Sequence, residues 1–175
     1  MNTLNFTFRD GCARDAITIS ALSIQVFLDT YATEGVRPDL AREAHEAYSV
    51  EAFDRRVAEP QRRFILAERE EGLLGFAEVV LTSVQSPIDE FTGAELVRLY
   101  VQPTAQRTGL GRALLMRTEQ IVQSDVLWLT AWDGNFNARA FYERLGYADV
   151  GATRYSLQNQ SYPNRVFAKR LFGVS

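Results

Sequence analysis

One stretch of the chain, residues 95–123, constrains the fold more than any other. Its first part, residues 96–101, is rich in β-branched and aromatic side chains and predicts a largely buried strand. Pro103 ends that strand, because proline has no N–H group to donate to a β-ladder. An apolar helical pattern follows after two glycines, Gly109 and Gly111. A strand, a glycine turn and a helix start together predict a site whose free backbone N–H groups bind an anion.

The spacing of the glycines separates this loop from other phosphate-binding loops. A dinucleotide-binding fingerprint needs a third glycine three residues after Gly111, and Leu114 occupies that position. A P-loop needs Gly-Lys-Ser/Thr after four spacers, which this loop lacks. The lack of side chains at Gly109 and Gly111 lets the backbone approach phosphate oxygens, and Arg107 and Arg112 add positive charge. We therefore expect a phosphate-binding loop that is neither a dinucleotide-binding loop nor a P-loop.

The composition narrows the class of protein. With 175 residues, the chain is expected to form one domain, residues 1–175, with a sizeable core. A net charge of −3 and the lack of a basic stripe argue against a nucleic-acid partner. Cys12 is the only cysteine and His45 the only histidine, so neither an internal disulfide nor a usual metal cluster is expected. The sequence shows neither a membrane-spanning run nor a signal peptide, so we expect a cytoplasmic protein with no membrane partner.

Patterns along the rest of the chain predict a mixed α/β fold. A first strand is expected over residues 4–9, and Asp15 is expected to cap the helix that follows. A helical region in one or two pieces is then expected over residues 40–57, followed by a hairpin with strands at 63–68 and 73–83 and a turn at 70–72. The second half of the chain is expected to form a strand at 126–132, a short helix at 137–145, and closing strands at 147–157 and 165–172 around a Gln/Asn/Pro loop. Because a helix separates strand 126–132 from strand 96–101, the two strands are expected to be parallel.

Two motifs, separated by a strand, resemble those of a known enzyme family. Residues 106–111 read Gln-Arg-Thr-Gly-Leu-Gly and resemble Gln/Arg-x-x-Gly-x-Gly/Ala, the pyrophosphate loop of the acetyl-CoA-dependent N-acetyltransferases of the GNAT superfamily. Residues 137–147 read Asn-Ala-Arg-Ala-Phe-Tyr-Glu-Arg-Leu-Gly-Tyr and are similar to the family's Asn-x-x-Ala-x-x-Phe/Leu-Tyr-x-x-x-Gly-Phe. One departure is that Ala138 and Ala140 both lie near the alanine position. The resemblance extends over residues 60–172.

The resemblance implies both a fold and a donor substrate. The fold is α/β (α+β mixed), with a central twisted sheet of about seven strands, splayed between strands 4 and 5 and flanked by about four helices. Coenzyme A would lie in that splay, with acetyl-CoA as the co-substrate and with no metal. The other partner would be a small-molecule amine, and the sequence leaves a homodimer open.

The same resemblance assigns roles to individual residues. The main chain of Leu99, Tyr100 and Val101 would contact the pantetheine arm and the acetyl carbonyl as an added strand does. Asn137 would direct its amide at the pantetheine. Tyr142 would contact the cofactor and protonate the leaving thiolate, a task for which a phenol with a pKa near 10 is suited. The pyrophosphate would be held by Gln106, Arg107, Thr108, Gly109, Leu110, Gly111 and Arg112. Outside the motif, Tyr142 would be interpreted as a core aromatic residue and Asn137 as a helix cap.

The acceptor and the group that deprotonates it are less constrained. Acetyl transfer needs a neutral amine, and Glu95, Glu78 and Asp133 are candidates for removing its proton. Residues 27–31, 95–101 and 128–135 resemble the PaiA-like spermidine/spermine N-acetyltransferases of bacteria, although strand five there more often ends in Glu than in Asp133. That resemblance implies a polyamine acceptor, for which Asp29, Glu34 and Glu95 are the candidate carboxylates. Two alternatives stay open, namely a protein N-terminal or lysine acetyltransferase and a non-catalytic CoA-binding regulator.

Overall fold

The computed structural model describes residues 6–70, 72–88, 90–157 and 160–171. Within these ranges the chain forms seven strands and five α-helices. The strands are β1 (Thr7–Asp10), β2 (Arg62–Arg69), β3 (Gly72–Gln85), β4 (Thr92–Val101), β5 (Val126–Trp132), β6 (Ala148–Leu157) and β7 (Gln160–Arg170). The helices are α1 (Ala16–Tyr31), α2 (Pro38–Glu46), α3 (Val50–Val57), α4 (Leu110–Ile121) and α5 (Phe136–Arg144).

The strands form a seven-stranded mixed sheet in the order β1-β2-β3-β4-β5-β7-β6. The predicted mixed α/β fold and the parallel pairing of β4 with β5 are both confirmed. The described part of the chain has five α-helices instead of about four, because the second helical region divides. Pro38 begins α2 at a position where its missing N–H is not needed. Ser49 separates the second piece, since its Oγ accepts a hydrogen bond from Ala52 N and caps α3.

The chain divides into two compact units. Unit 1 comprises residues 1–78 and 98–118, and unit 2 comprises residues 79–97 and 119–175. In unit 1, β1 pairs antiparallel with β2, from Thr7 opposite Glu68 to Asp10 opposite Ile65. The core of unit 1 is a cluster of aromatic rings whose centroids lie 5.0–6.4 Å apart, made of Phe27, Tyr48, Phe53, Phe64, Phe76 and Tyr100.

In unit 2, β5 has strands on both sides. Its ladder to β4 consists of two residue pairs, Ala94 with Leu127 and Glu95 with Trp128. Its antiparallel ladder to β7 runs along the whole strand, from Val126 opposite Arg170 to Trp132 opposite Asn164. A ladder of two pairs is short for strands of ten and seven residues. Strand β6 continues the sheet beyond β7.

The sheet of unit 2 has two chemically different faces. Side chains alternate along a strand, and directly paired residues share a face. One face therefore carries Glu95, Trp128 and Asn164. The opposite face carries Leu129 and Phe167, both buried, and Tyr142 of α5 lies with its ring centroid 6.1 Å from that of Phe167. Helix α5 therefore packs on the face opposite to Glu95.

Asp15 occupies the N-cap position of α1, as predicted, but its side chain does not cap the helix. A 3₁₀ turn at Ala13–Asp15 precedes the helix, and the Asp15 side chain makes no cap hydrogen bond. Its carboxylate instead accepts two hydrogen bonds from Arg9, each 2.8 Å, and one from Cys12 N. These bonds, those from Arg9 above all, lower the pKa of Asp15 despite its burial. Arg9 on β1 therefore determines the carboxylate's orientation in place of the helix start.

Two further boundaries differ from the sequence prediction. Strand β1 begins at Thr7, and the predicted residues Leu4 and Asn5 lie outside the described part of the chain. The predicted Gln/Asn/Pro loop is shorter than expected, because β7 already begins at Gln160 and includes Pro163 opposite Arg154. Strand β5 ends opposite Asn164, so Pro163 lies beyond the β5 ladder, where its missing N–H costs little. Of the predicted turn and closing elements, Glu71, Gln158, Asn159 and Phe172 lie outside the described residues.

Candidate active site

The predicted phosphate loop in unit 1 has the backbone geometry of an anion site. Arg107 and Gly109 have φ angles of 61° and 89°, in the left-handed region that favours glycine. Nothing lies within 4 Å of the point where a Cβ atom of Gly109 would be, so the space over the loop is open. The first helical bond of α4 runs from Ala113 N to Gly109 O, which leaves the preceding N–H groups without a helical acceptor. A pyrophosphate group therefore fits this loop.

Side chains around the loop hold its shape. Thr108 Oγ1 donates to Ala105 O at 2.6 Å, and Gln106 Nε2 donates to Val101 O at 3.2 Å. Residues 106–109 and Arg112 are exposed, whereas Leu110 is buried and anchors the start of α4. In the described part of the chain, neither Arg107 nor Arg112 forms an ion pair. Both guanidinium groups therefore remain available to an anion.

The end of β4 offers main-chain groups for the predicted pantetheine contact. Leu99, Tyr100 and Val101 are partly buried. The Tyr100 side chain is already engaged, because its hydroxyl lies 3.1 Å from that of Tyr48 and burial raises its pKa. Gly75 of β3 lets the two strands approach closely, since a Cβ atom there would lie 2.7 Å from Tyr100 O. What Tyr100 can offer to a ligand is therefore its backbone.

Helix α5 of unit 2 carries the two residues predicted from the second motif. The helix cap is Asn135, whose Oδ1 accepts from Ala138 N, so Asn137 is not needed for capping and lies exposed in the first turn. The Tyr142 ring is buried against Phe141, Tyr147 and Phe167. Within the described residues, the Tyr142 hydroxyl makes no hydrogen bond, and burial raises its pKa. It therefore stays protonated through the neutral range.

An open cavity of about 250 Å³ lies in unit 2, on the face that carries Glu95. Four neighbouring strands contribute to it, because β4, β5, β7 and β6 are adjacent in the sheet. Its lining includes Glu95, Trp128, Thr130, Thr153, Arg154 and Asn164. Trp128 is 4% exposed and donates through Nε1 to Gly93 O, so it forms a fixed apolar wall. A carboxylate, an amide and an aromatic ring in one cavity can hold an amino group.

The three candidates for proton removal have different surroundings. In unit 1, Glu78 is fully buried and accepts from Arg62 Nη1 at 2.6 Å and from Arg98 Nη1 at 2.5 Å. Burial would lower the pKa of Arg98, but attraction to Glu78, together with that of Tyr100 and Tyr48, raises it. Asp133 pairs with Arg139 at 2.8 Å. Glu95 is the candidate that lines the cavity. Glu95 and Tyr142, the predicted acid, belong to opposite faces of the sheet.

Other residues considered from the sequence lie exposed on the surface. Asp29 and Glu34 are exposed in unit 1. His45 is exposed on α2, as predicted, and Cys12 is exposed with its Sγ 3.2 Å from Asp15 Oδ2. In the described ranges, no group of three or more His, Cys, Asp or Glu side chains is arranged to hold a metal ion. None of the helices described is both long and apolar enough to cross a membrane.

Sequence reasoning missed Asn164, Thr153 and Arg154 as cavity residues. They lie on the two closing strands, and the register of β6 and β7 brings Asn164 opposite Thr153. A local motif could not have found them, because they join Glu95 only through the order of strands in the sheet. The single available signal was a polar residue, Asn164, two residues before the apolar run of β7 at residues 166–168.

Comparison with known proteins places the two motifs in one family. The chain matches the acetyltransferase (GNAT) family over residues 30–147, a range that contains both motifs. It is 26% identical over 146 residues to an uncharacterized N-acetyltransferase in the pepI 3′ region of Lactobacillus delbrueckii subsp. lactis, with 82% of each chain covered. It is 28% identical over 103 residues to the N-alpha-acetyltransferase RimI of Mycobacterium tuberculosis, covering 59% of this chain and 63% of that one.

A solved structure shares the fold. The PaiA N-acetyltransferase from Thermoplasma acidophilum, in complex with coenzyme A, aligns with a TM-score of 0.79 at 20% identity, over 95% of this chain and 99% of that chain. The fold, the loop and the second motif together define an acyltransferase. The chain belongs to the acetyltransferase (GNAT) family, and it is an N-acetyltransferase that uses acetyl-CoA as its acetyl donor.

Proposed function

We propose that this protein acetylates a primary amino group of a small molecule, with polyamines such as spermidine and spermine as the leading class. The observation that carries the proposal is the cavity in unit 2, where a carboxylate, Glu95, and an aromatic wall, Trp128, surround a space of about 250 Å³. An ammonium group is costly to bury without a carboxylate partner, and Glu95 provides one. The net charge of −3 also favours a cationic substrate, although weakly.

In the proposed reaction, the donor is held by the loop before α4, by β4 and by α5. The N–H groups at the start of α4, with Arg107 and Arg112, bind the pyrophosphate. The backbone of β4 after Glu95 and the amide of Asn137 position the pantetheine arm. Acetyl-CoA, when bound, supplies the acetyl group as an activated thioester. The open space above Gly109 and its φ of 89° support the first of these assignments.

Three proton transfers complete the proposed mechanism. Glu95 accepts a proton from the ammonium group of the acceptor, directly or through water, and so produces the neutral amine that attacks the carbonyl carbon. Tyr142 donates the proton of its hydroxyl to the departing sulfur as the C–S bond breaks, and the second proton lost by the acylated nitrogen returns through water to the tyrosine oxygen. The hydroxyl of Tyr142 makes no hydrogen bond within the described residues, which supports this role because its proton is free to be donated. Base and acid act from opposite faces of the sheet.

The charges around the cavity limit how a polyamine can bind. Arg154 lines the same cavity and is held by Ser161, with Nε donating to Ser161 Oγ at 2.7 Å. A guanidinium group there repels a second ammonium, so we propose that one amino group enters and the rest of the polyamine stays outside. Asp29 and Glu34 are the further carboxylates of the proposed set, and both are exposed.

A second candidate acceptor is the N-terminal amine of a protein. The relative named N-alpha-acetyltransferase RimI favours it, because its name states that activity. A lysine acceptor and a CoA-binding regulator without catalysis are weaker alternatives, since the intact Tyr142 is of no use to a regulator. We also propose that the chain acts as one cytoplasmic domain, and the homodimer stays an expectation to be tested by sedimentation.

An acceptor panel tests the proposal. Purified protein is incubated with acetyl-CoA and, separately, with spermidine, spermine, butylamine, an unblocked peptide and an N-terminally blocked lysine peptide. Release of the CoA thiol and the mass of the product are measured. We expect kcat/KM to be highest for the polyamines and to fall with ionic strength. Polyamines no better than butylamine would refute the polyamine assignment, and activity on peptides alone would favour the second candidate.

A further inference from the structure

The hydroxyl of Tyr142 has no hydrogen bond within the described part of the chain that would hold it in one direction. The orientation of the phenol therefore depends on the rings packed against it. Besides its chain neighbour Phe141, these rings are Tyr147 and Phe167, with centroids 5.8 and 6.1 Å from that of Tyr142. A catalytic group displaced by about 1 Å can lose about a hundredfold in rate. The contacts that fix these rings therefore bear on the proposed reaction.

Tyr147 is joined to Tyr142 through the main chain as well as through its ring. Helix α5 ends at Arg144, and Gly146, with a φ of 87°, turns the chain back. Tyr147 N then donates to Tyr142 O at 3.1 Å. The side chain of Tyr147 is buried, and its ring meets that of Tyr142 edge-on at 68°. A shift of the Tyr147 ring therefore changes the packing of the acid directly.

One carboxylate oxygen fixes the far end of the Tyr147 ring. Glu119 Oε1, on α4, accepts hydrogen bonds from the Tyr147 hydroxyl and from Lys169 Nζ of β7, both at 2.9 Å. Lys169 Nζ also lies 5.4 Å from the centroid of the Tyr147 ring. The side chains of Glu119 and Lys169 are 18% and 29% exposed, so water shields these contacts only in part. Three segments of unit 2 therefore meet at one oxygen.

Strand β7 carries supports for both rings. Phe167 and Lys169 lie on the same face of β7, because alternate residues of a strand share a face. Phe167 contacts Tyr142 directly, whereas Lys169 holds Glu119 and so the hydroxyl of Tyr147. The ring of the proposed acid therefore contacts two rings whose positions are both set from one strand.

We propose that Tyr147 and Glu119 are positioning residues that hold the Tyr142 ring where its hydroxyl can reach the leaving sulfur, an inference that rests on the proposed role of Tyr142 as the acid. A hydrogen bond to a carboxylate is stronger than one between neutral groups, so it restrains the Tyr147 ring firmly. Lys169 balances the charge of Glu119, which would otherwise oppose the negative charge that develops on the Tyr142 oxygen. Both positioning residues act through Tyr142, and neither transfers a proton.

The test combines Tyr147→Phe and Glu119→Leu with Tyr142→Phe. In the otherwise wild-type protein, each of the first two should lower kcat by about tenfold to a hundredfold, because the acid is displaced. KM for the best amine of the panel and Kd for acetyl-CoA should stay within about threefold of wild type. In the Tyr142→Phe background, the same substitutions should lower kcat by less than about twofold, because the residue through which they act is gone. Glu119→Gln, which keeps an acceptor oxygen, should retain kcat within about threefold.

Glu68→Leu is the matched control for the loss of a carboxylate. Glu68, on β2 in unit 1, pairs with Arg9, and the side chains of the pair are 18% and 34% exposed, close to the values for Glu119 and Lys169. Glu68→Leu should lower the melting temperature as Glu119→Leu does, because both remove one partner of a partly buried ion pair. It should leave kcat unchanged.

A spectroscopic readout follows Tyr142 without any substrate. In NMR spectra of protein with isotope-labelled tyrosine, the ring resonances of Tyr142 are identified by their loss in Tyr142→Phe. They should shift in Tyr147→Phe and in Glu119→Leu, because the ring is displaced, and they should stay in place in Glu68→Leu.

The outcomes separate the positioning role from the proposed function. Wild-type kcat in both Tyr147→Phe and Glu119→Leu would overturn the inference and leave the proposed function intact. Equal losses of kcat with and without Tyr142, or a lowered kcat with unshifted Tyr142 resonances, would contradict the inference as well. If Tyr142→Phe itself keeps the wild-type kcat, the acid assignment fails and the inference fails with it. In a protein inactive on every amine, the proposed function fails and the resonances alone decide whether Tyr147 and Glu119 hold the ring.

Discussion

Replacing Glu78 by glutamine tests whether the buried glutamate of unit 1 is structural. Its side chain is 0% exposed and accepts hydrogen bonds from Arg62 at 2.6 Å and Arg98 at 2.5 Å. Arg56 is close enough that repulsion from Arg98, after burial itself, lowers its pKa. Glu78→Gln removes the negative charge from this group of arginines while keeping the shape of the side chain. It therefore isolates the contribution of the charge.

The expected loss in the free energy of unfolding follows from the burial of Glu78. Removing one partner of a buried ion pair costs about 3–5 kcal/mol, and because glutamine keeps one acceptor oxygen we expect about 3 kcal/mol. The same arginine provides a control, since Arg62 also pairs with Glu59 at 2.6 Å, where the glutamate side chain is 47% exposed. Glu59→Gln should cost no more than about 1 kcal/mol, because an exposed pair is screened by water.

Urea unfolding followed by tryptophan fluorescence measures both variants. The midpoint should fall for Glu78→Gln and the slope should stay constant, as expected for a change in stability alone. Below its melting temperature, the variant should keep kcat within about tenfold of wild type, because Glu95 and not Glu78 is the proposed base. A loss of stability no larger than that of Glu59→Gln would refute the electrostatic reasoning, and a hundredfold loss of kcat in the folded variant would reopen the assignment of the base.

Three further predictions concern the donor site and the tyrosines. Gly109→Asp should abolish acetyl-CoA binding in calorimetry. The control is Gly35→Asp, at a φ of 112° with equally open surroundings, which should introduce similar backbone strain and leave binding intact. Acetyl-CoA binding by Gly109→Asp would contradict the loop assignment. Tyr142→Phe should lower kcat by about 10²–10⁴-fold with an unchanged Kd for acetyl-CoA, and a drop below tenfold would count against the role. Burial raises the pKa of both Tyr142 and Tyr147, with Glu119 adding to the effect on Tyr147. The pH profile of wild-type activity should therefore show no tyrosine ionisation below about pH 10. The free energy of unfolding should fall above that pH, because the tyrosines ionise first in the unfolded chain. A free energy of unfolding that stays constant to higher pH would exclude the raised tyrosine pKa values.

Local sequence signals predicted the backbone arrangement of the loop before α4. The strand, the glycine turn and the helix start occupy consecutive residues, so their spacing alone predicts that N–H groups precede Ala113 in α4. The left-handed conformation of Gly109 also follows from residue type, because glycine adopts it without strain. The left-handed conformation of Arg107 beside it, with φ of 61°, could not be predicted, since few non-glycine residues adopt that conformation.

The proposed acceptor half of the site depends on contacts that are distant in sequence. Asn164 and Glu95 line one cavity because β7 lies next to β5 and β5 next to β4, and no local pattern encodes that order. The error at Asp15 has a similar origin, because a capping residue was expected and a distant strand residue, Arg9, captured the carboxylate. Glu78 likewise could be a base in the sequence and is a buried ion-pair partner in the fold.

The most direct test of the central claim is the pH dependence of Glu95→Gln. With acetyl-CoA saturating, kcat/KM for the best amine of the panel is measured from neutral pH to about pH 10, alongside the affinity for acetyl-CoA. We expect a loss of about 10²–10⁴-fold at neutral pH with unchanged acetyl-CoA binding. The loss should diminish as pH approaches the amine's own pKa near 10, because solvent then supplies the neutral amine. A variant within threefold of wild type at neutral pH, with the same pH profile, would contradict the assignment of the cavity as the acceptor site.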